Sequence, residues 1–241
     1  MIAPYFFNHY LPFVDKFKII IDSDSDISMT KLVQEYQKKY PEKINIEWHM
    51  FPDMLDDELK SKTLSFRANI STCDWVMIVD SDEFVFSDVK NKIQTESGNI
   101  IMANFHHPYK NINDKNLDPN ILPIIEQRRY GTKILETNGI KCAESLYIKP
   151  IIYKPEIKLI FNPGNHSYNL NSLANHKGTQ VKGSHWIMAD PELAIERRVN
   201  GRKNRQSKRN IEKGYTIQHW TITPEIIKKE CETHLNDGQL F

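Results

Sequence analysis

Trp75-Val76-Met77-Ile78-Val79-Asp80-Ser81-Asp82-Glu83-Phe84 is the stretch that decides how this chain is read. Five consecutive apolar residues with no polar face have the pattern of a central strand in a parallel sheet, covered on both sides. The run then ends abruptly in acid. In an open α/β sheet, ligands bind beyond the carboxyl ends of the strands, so Asp80 stands where a ligand is expected. In extended backbone alternate residues share a face, so Asp80 and Asp82 are expected to converge on one ligand. Small Ser81 leaves room, and Glu83 is expected to point away unless the chain turns there. Paired carboxylate oxygens suit Mg²⁺ or Mn²⁺, which also take phosphate oxygens. A bare D-x-D triplet says little, because carboxylates cluster in loops. The apolar strand before it and Phe84-Val85-Phe86 after it give it weight.

Upstream, Phe17–Ile21 reads as a strand ending in Asp22-Ser23-Asp24-Ser25-Asp26. A helix is expected over Thr30–Tyr40, capped by Ser28 or Thr30, with Leu32, Val33 and Tyr36 on one face and Pro41 as its stop. Ile44–Met50 alternates Ile44, Ile46, Trp48 and Met50 on one side, a strand pattern. This β-α-β order implies parallel pairing and a sheet covered by helices. Met54–Ser71 reads as a second helix, with Leu55, Leu59, Leu64 and Ile70 as candidate core. Downstream, Ile100–Phe105 reads as a strand. Asn111–Pro123 reads as a polar loop, either a binding lid or a disordered segment.

Short strands are expected at Ser145–Ile148, Ile151–Lys154, Lys158–Phe161 and Gln180–Trp186, with a turn at Pro163-Gly164-Asn165-His166. Asp190-Pro191-Glu192 is a strong helix start, and that helix is expected to run to Lys213 with Gly214 as terminator. A last helix starts near Thr223-Pro224-Glu225. The expected fold class is therefore α/β: a mostly parallel, Rossmann-like sheet flanked by helices within residues 1–189. A helical C-terminal segment, 190–241, packs on the same domain.

A chain of 241 residues suits one sizeable domain. The formal net charge of +1 removes any global pull toward nucleic acid or anionic membranes, so no nucleic-acid partner is expected. Cys73, Cys142 and Cys231 are odd in number and far apart, which argues against a disulfide framework or zinc site and for a reducing compartment. No apolar run approaches the roughly 20 residues needed to span a bilayer. Met1–Phe7 lacks the basic region and long apolar core of a signal peptide. A cytoplasmic location is expected, with peripheral contact at the inner membrane face as an option.

The stretch Cys73–Phe84 resembles the "adWvi..D.DEF" signature of family-2-like glycosyltransferases with the GT-A fold. Ile2–Tyr10 resembles that family's first helix. Lys149-Pro150-Ile151-Ile152-Tyr153, Pro163-Gly164-Asn165-His166, His185-Trp186 and the Arg-rich stretch ending near His219-Trp220 resemble its later blocks. The resemblance implies a sugar transferred from a nucleotide-diphosphate donor, UDP-linked, to a glycan or lipid-linked acceptor. It implies Mn²⁺ or Mg²⁺ on Asp80 and Asp82, with His185 completing the metal shell, and Asp82 and Glu83 in the catalytic centre. Such a metal neutralises charge as the nucleoside diphosphate leaves. Two departures stand out. Members begin with a strand and an Asn-Glu turn, whereas Met1 here falls in the first-helix region, so that strand is expected to be missing. Their "D-N-G-S-T-D" is replaced by Asp22–Asp26, so Asp22 and Asp24 are only altered counterparts of the nucleoside grip.

His185 is equally readable as a structural histidine, and His166 as a turn residue or a contact to acceptor or phosphate. The basic residues after Asp190 include Arg197, Arg198, Arg202, Lys203, Arg205, Lys208, Arg209 and Lys213. At helical spacing Arg198, Arg202, Arg205 and Arg209 share a face. They form a solvated surface, a clamp for the donor's diphosphate or a lipid-docking patch. Asp114, Asp118, Glu126 and Glu144 are all available as a general base toward the acceptor hydroxyl. Two rival classes remain: a catalytically inactive binding module of the same fold, and a nucleotidyltransferase. The lack of a Gly-rich basic loop near the N-terminus weighs against the second.

Overall fold

A computed structural model describes residues 2–23, 25–50, 54–132, 135–137, 140–142, 148–165, 167–169, 180–215 and 221–233, of which 131–148 and 203 are described by backbone alone. The chain is a mixed α/β fold. Its first half runs α1 (Ala3–Tyr10), β1 (Phe17–Asp22), α2 (Ile27–Lys39), β2 (Ile44–His49), α3 (Asp57–Asn69), β3 (Val76–Met77), β4 (Glu83–Val85), α4 (Val89–Thr95) and β5 (Ile100–Pro108). Then come β6 (Gly131–Thr132), β7 (Leu135–Thr137), β8 (Ile140–Cys142), β9 (Ile148–Tyr153), β10 (Ile160–Phe161), β11 (Tyr168–Asn169) and β12 (Gln180–His185), followed by α5 (Pro191–Ile195), α6 (Lys208–Lys213) and α7 (Pro224–Thr233).

Strands β1 and β2 are parallel across α2, in register from Phe17 opposite Ile44 to Asp22 opposite His49. Helix α2 begins earlier than expected. Asp26, the last acid of the 22–26 run, takes the cap, its carboxylate accepting the Ser28 and Met29 N–H groups. Ser28 and Thr30 therefore lie inside the helix.

A six-stranded sheet runs β3-β9-β5-β12-β4, with β6 beside β5. It is mixed rather than mostly parallel. Strands β5 and β12 are parallel, while β3/β9, β5/β9, β4/β12 and β5/β6 are antiparallel. The Trp75–Val79 run is also not central: β3 is only two residues long and ends the strand order. Its two apolar faces have another cause. Trp75, Met77 and Val79 pack into the main core around Ile101, Ile151 and Ile152. Val76 and Ile78 face a separate cluster with Ile100, Tyr153 and Phe161. Apolarity on both faces reports two cores, not the direction of the neighbouring strands. The buried centre falls instead to β5 and β9. On β12, a Cβ at Gly183 would meet the Phe105 ring at 2.6 Å, so only glycine lets that ring lie over the strand.

Helix α3 is shorter than Met54–Ser71 and buries polar residues: Asp57, Ser61 and Ser65. Of its expected core, Leu64 packs inward, but Ile70 is exposed. Ser65 Oγ donates to the Ser61 carbonyl and accepts the Phe161 N–H at 2.9 Å, stitching α3 to β10.

Helix α1 covers the last strand of the order. The Tyr10 hydroxyl donates to the Glu83 carbonyl (2.8 Å) and accepts the Val85 N–H (2.9 Å). His9 Nε2–H donates to the Val85 carbonyl (2.7 Å). Backbone groups of an end strand are thus satisfied by side chains.

The expected continuous helix from Asp190 to Lys213 is broken. Asp190 caps α5 and Gly214, at φ 68°, ends α6, as their types predict. Between them the chain winds as a π-helix over Glu196–Arg202 and a 3-10 turn over Lys203–Arg205, and Gln206 is extended. Helix α7 buries Ile227 and Cys231 against Tyr109, Met188 and Ala194. Among the described residues, no helix is long and apolar enough to cross a membrane.

Candidate functional site

The acidic stretch does not continue as a strand; it turns. Glu83 N–H donates to the Asp80 carbonyl (3.0 Å), and Asp80 N–H donates to Glu83 Oε2 (3.0 Å). The alternation expected of extended backbone is lost. Glu83 swings back beside Asp80, while Asp80 and Asp82 look toward different partners. Strand β12 continues its pairing into the turn: His185 lies opposite Glu83, and Trp186 N–H donates to the Asp82 carbonyl (2.8 Å). Trp186 itself is buried with Ile2, Tyr5, Phe84 and Ile124. That anchor sets His185 beside Asp82, Nε2 to Oδ2 at 3.2 Å.

Basic side chains converge on these acids from three distant parts of the chain. Lys60 of α3 meets Asp80 at 2.6 Å. Lys149 of β9 pairs with Glu83 and lies 3.7 Å from Asp80. Arg197, in the π-wound segment, meets Asp82 at 2.7 Å. Burial alone would raise the Asp80 carboxyl, but Lys60 and Lys149 draw it well below the usual carboxylate range. Asp82 is also pushed up by burial and then held far lower by Arg197 and His185. Both acids are ionised across the physiological range. Burial drives the neighbouring His107 well below the ordinary histidine value, with the nearby His185 adding to the effect.

The basic segment is arranged differently from the expected face. The π winding over Glu196–Arg202 replaces the ordinary helical period on which that face was drawn. Arg198 turns away, toward Met188 Sδ at 3.1 Å and Glu230 at 3.9 Å. The arginine facing the acids is Arg197, not Arg198. Arg202 pairs with Asp57 (3.1 Å) and Arg205 with Asp22 (2.6 Å). Arg209 reaches Glu58 at 2.5 Å. Much of the basic run is thus spent on the acidic first turn of α3 and the end of β1. Buried Asn210 fastens the same junction, accepting the Asp57 N–H and donating to the Leu55 carbonyl.

The candidate bases serve the loops. Asp114 accepts the Asn111 N–H (2.7 Å), Asp118 accepts the Asn120 N–H (2.8 Å), and Glu126 pairs with Arg129. The 111–123 loop is tied down: Asn8 donates to the Pro119 carbonyl, and buried Arg128 donates to the carbonyls of Lys115 and Ala189. Glu83 is 1% exposed and engaged through both oxygens, a position that suits holding the turn rather than meeting an acceptor hydroxyl. Asp24, His166 and Glu144 lie outside the described residues.

Lys60, Lys149 and Arg197 are the contributors sequence reasoning passed over or left in a crowd. Lys149 had a readable signal: a lysine beside an apolar strand run is rarely buried unless paired. Lys60 had none.

Carboxylate oxygens and an imidazole nitrogen are donor types that take a divalent cation, but among the described residues no three such groups are gathered as a metal site. Asp82 and His185 converge within hydrogen-bonding distance, while the Asp80 carboxylate is held by Lys60 and that of Asp82 by Arg197, so a cation would have to displace them. Asp80, Asp82 and His185 are the residues that would hold it. Compared with family models, curated proteins and solved structures, the chain matches none of them.

Proposed function

We propose that this chain is a glycosyltransferase that moves a sugar from a nucleotide-diphosphate donor, UDP-linked, to a hydroxyl of a glycan or lipid-linked acceptor. We also read its fold as GT-A-like. The observation that carries the reading is the acidic turn after β3, where Asp80 and Asp82 meet Lys60, Lys149, Arg197 and His185 from separate elements. The parallel β1-α2-β2 unit supports the fold.

The division of labour follows from the contacts. Lys60 and Arg197 are partly exposed cations suited to gripping phosphate oxygens, and Arg offers two parallel donors. Lys149 and Glu83 hold the turn from beneath. Mn²⁺ or Mg²⁺ on Asp80, Asp82 and His185 would supply neutralisation of the departing diphosphate. Arg205 and Asp22, paired at the end of β1, mark the edge where the nucleoside would lie.

Mn²⁺ with UDP should raise the melting temperature of the intact chain, and Asp82→Ala should abolish that shift. No stabilisation of the wild type, or an unchanged shift in Asp82→Ala, would sink the proposal. The internal pairing of all three acids favours one second reading, an inactive binding module of this fold. Hydrolysis or transfer from any nucleotide-sugar counts against it.

A further inference from the structure

The three ion pairs at the acidic turn differ in how they are buried. The Lys149–Glu83 pair is closed off, with side-chain exposures of 2% and 1%. The Lys60–Asp80 pair is 24% and 28% exposed, and Arg197 is 29% exposed over a buried Asp82. Lys60 and Arg197 have long flexible stems and an open side to move into. Lys149 has no such freedom: it is buried between Glu83 and Asp80, and its departure would strand Glu83.

Asp80, Asp82 and Glu83 are balanced by Lys60, Lys149 and Arg197. A divalent cation entering alone would put two surplus positive charges into a largely buried site. A diphosphate entering alone would put its negative charge against three carboxylates. Either event is opposed, since uncompensated charge is costly where water is scarce. Entering together, they preserve the balance if the protein's own cations change partners.

Resting on the donor-site reading above, we propose that Lys60 and Arg197 are exchangeable stand-in cations. They neutralise Asp80 and Asp82 through the ion pairs described and pass to the donor's diphosphate when a divalent ion takes the carboxylates. Lys149 stays on Glu83. Metal and nucleotide binding are then coupled, and the coupling is reciprocal: each tightens the other by the same factor.

Titration calorimetry on the full chain tests this with Mn²⁺ alone, UDP alone, and each against protein saturated with the other, corrected for the Mn²⁺–UDP complex in solution. The expected coupling is about tenfold or more. Arg197→Gln should bind Mn²⁺ alone more tightly than wild type, because Asp82 is released, while binding UDP more weakly. Lys60→Gln should do the same through Asp80. A purely structural role for these residues would lower stability without raising Mn²⁺ affinity. Wild-type Mn²⁺ affinity that is indifferent to UDP overturns the exchange, as does a folded Arg197→Gln with no gain for Mn²⁺. If the variants do not fold, the wild-type measurements decide. Binding of both ligands without coupling removes only the exchange; binding of neither removes the donor site with it.

Discussion

Helix α1 and the π-wound segment at 196–202 both grip residues 80–85, with opposite chemistry. Helix α1 uses neutral groups. Tyr10 and His9 satisfy the backbone of Glu83 and Val85, and their rings pack against Phe84. The π-wound segment brings the charge of Arg197, joined by Lys60 and Lys149 from elsewhere. Neutral, buried hydrogen bonds have no alternative partner and make a fixed wall. Ion pairs with an open side can be traded. The contrast separates the part of the turn built to stay from the part able to respond to a ligand.

The sharpest way to break this contrast is the one charged pair assigned to the fixed wall. Lys149→Met leaves Glu83 buried without its counter-ion and should cost about 3–5 kcal/mol. Adding Glu83→Gln should restore a large part of that loss in urea melts; no recovery would mean that Lys149 acts through packing alone. Tyr10→Phe comes next. It leaves the Glu83 carbonyl and Val85 N–H without the hydroxyl and should cost about 1–3 kcal/mol. A loss within error would show that β4 does not depend on α1.

Near neutral pH the smallest effect is a dependence on pH, which grows only as the solution is acidified. Burial lowers His9 from 6.5 to about 4, so the folded state keeps it neutral. The stability this provides is complete above pH 6.5 and is lost as pH falls toward 4, with a slope of at most about 1.4 kcal/mol per pH unit. Asp80 and Asp82 are shifted below 3.8, so their contribution persists through that window and fades only at lower pH. Denaturant melts across both windows separate the two walls, and His9→Gln should flatten only the upper one. An unchanged upper slope would remove His9 from the account.

Several local signals in the chain were legible because their causes lie within a few residues. The β1-α2-β2 unit, the Asp190 cap and the Gly214 stop all follow from side-chain period and cap chemistry within a few residues. The cap of α2 was misplaced because Asp26, Ser28 and Thr30 are all good cap residues, and the backbone at Asp26 decided among them. Arg198 was preferred to Arg197 because a regular helix was expected to run to Lys213, and the chain instead winds as a π-helix and a 3-10 turn there. Glu83 was expected to point away from Asp80 and Asp82 unless the chain turned there, and it does turn, which brings Glu83 back beside Asp80.

The sequence by itself determined that an apolar run ends in a cluster of acids, that helices and strands alternate around it, and that a basic segment follows near the C-terminus. Side-chain period records which faces leave water, and that is a property of neighbouring residues. Only the tertiary structure decided that the sheet is mixed, that the apolar strand ends its order, and that Lys60, Lys149 and Arg197 meet the acids. Strand direction is set by pairing between distant segments, and an ion pair requires two charges that the fold brings together. Arg197 and Asp82 stand far apart in the chain, and no local pattern in either segment names the other.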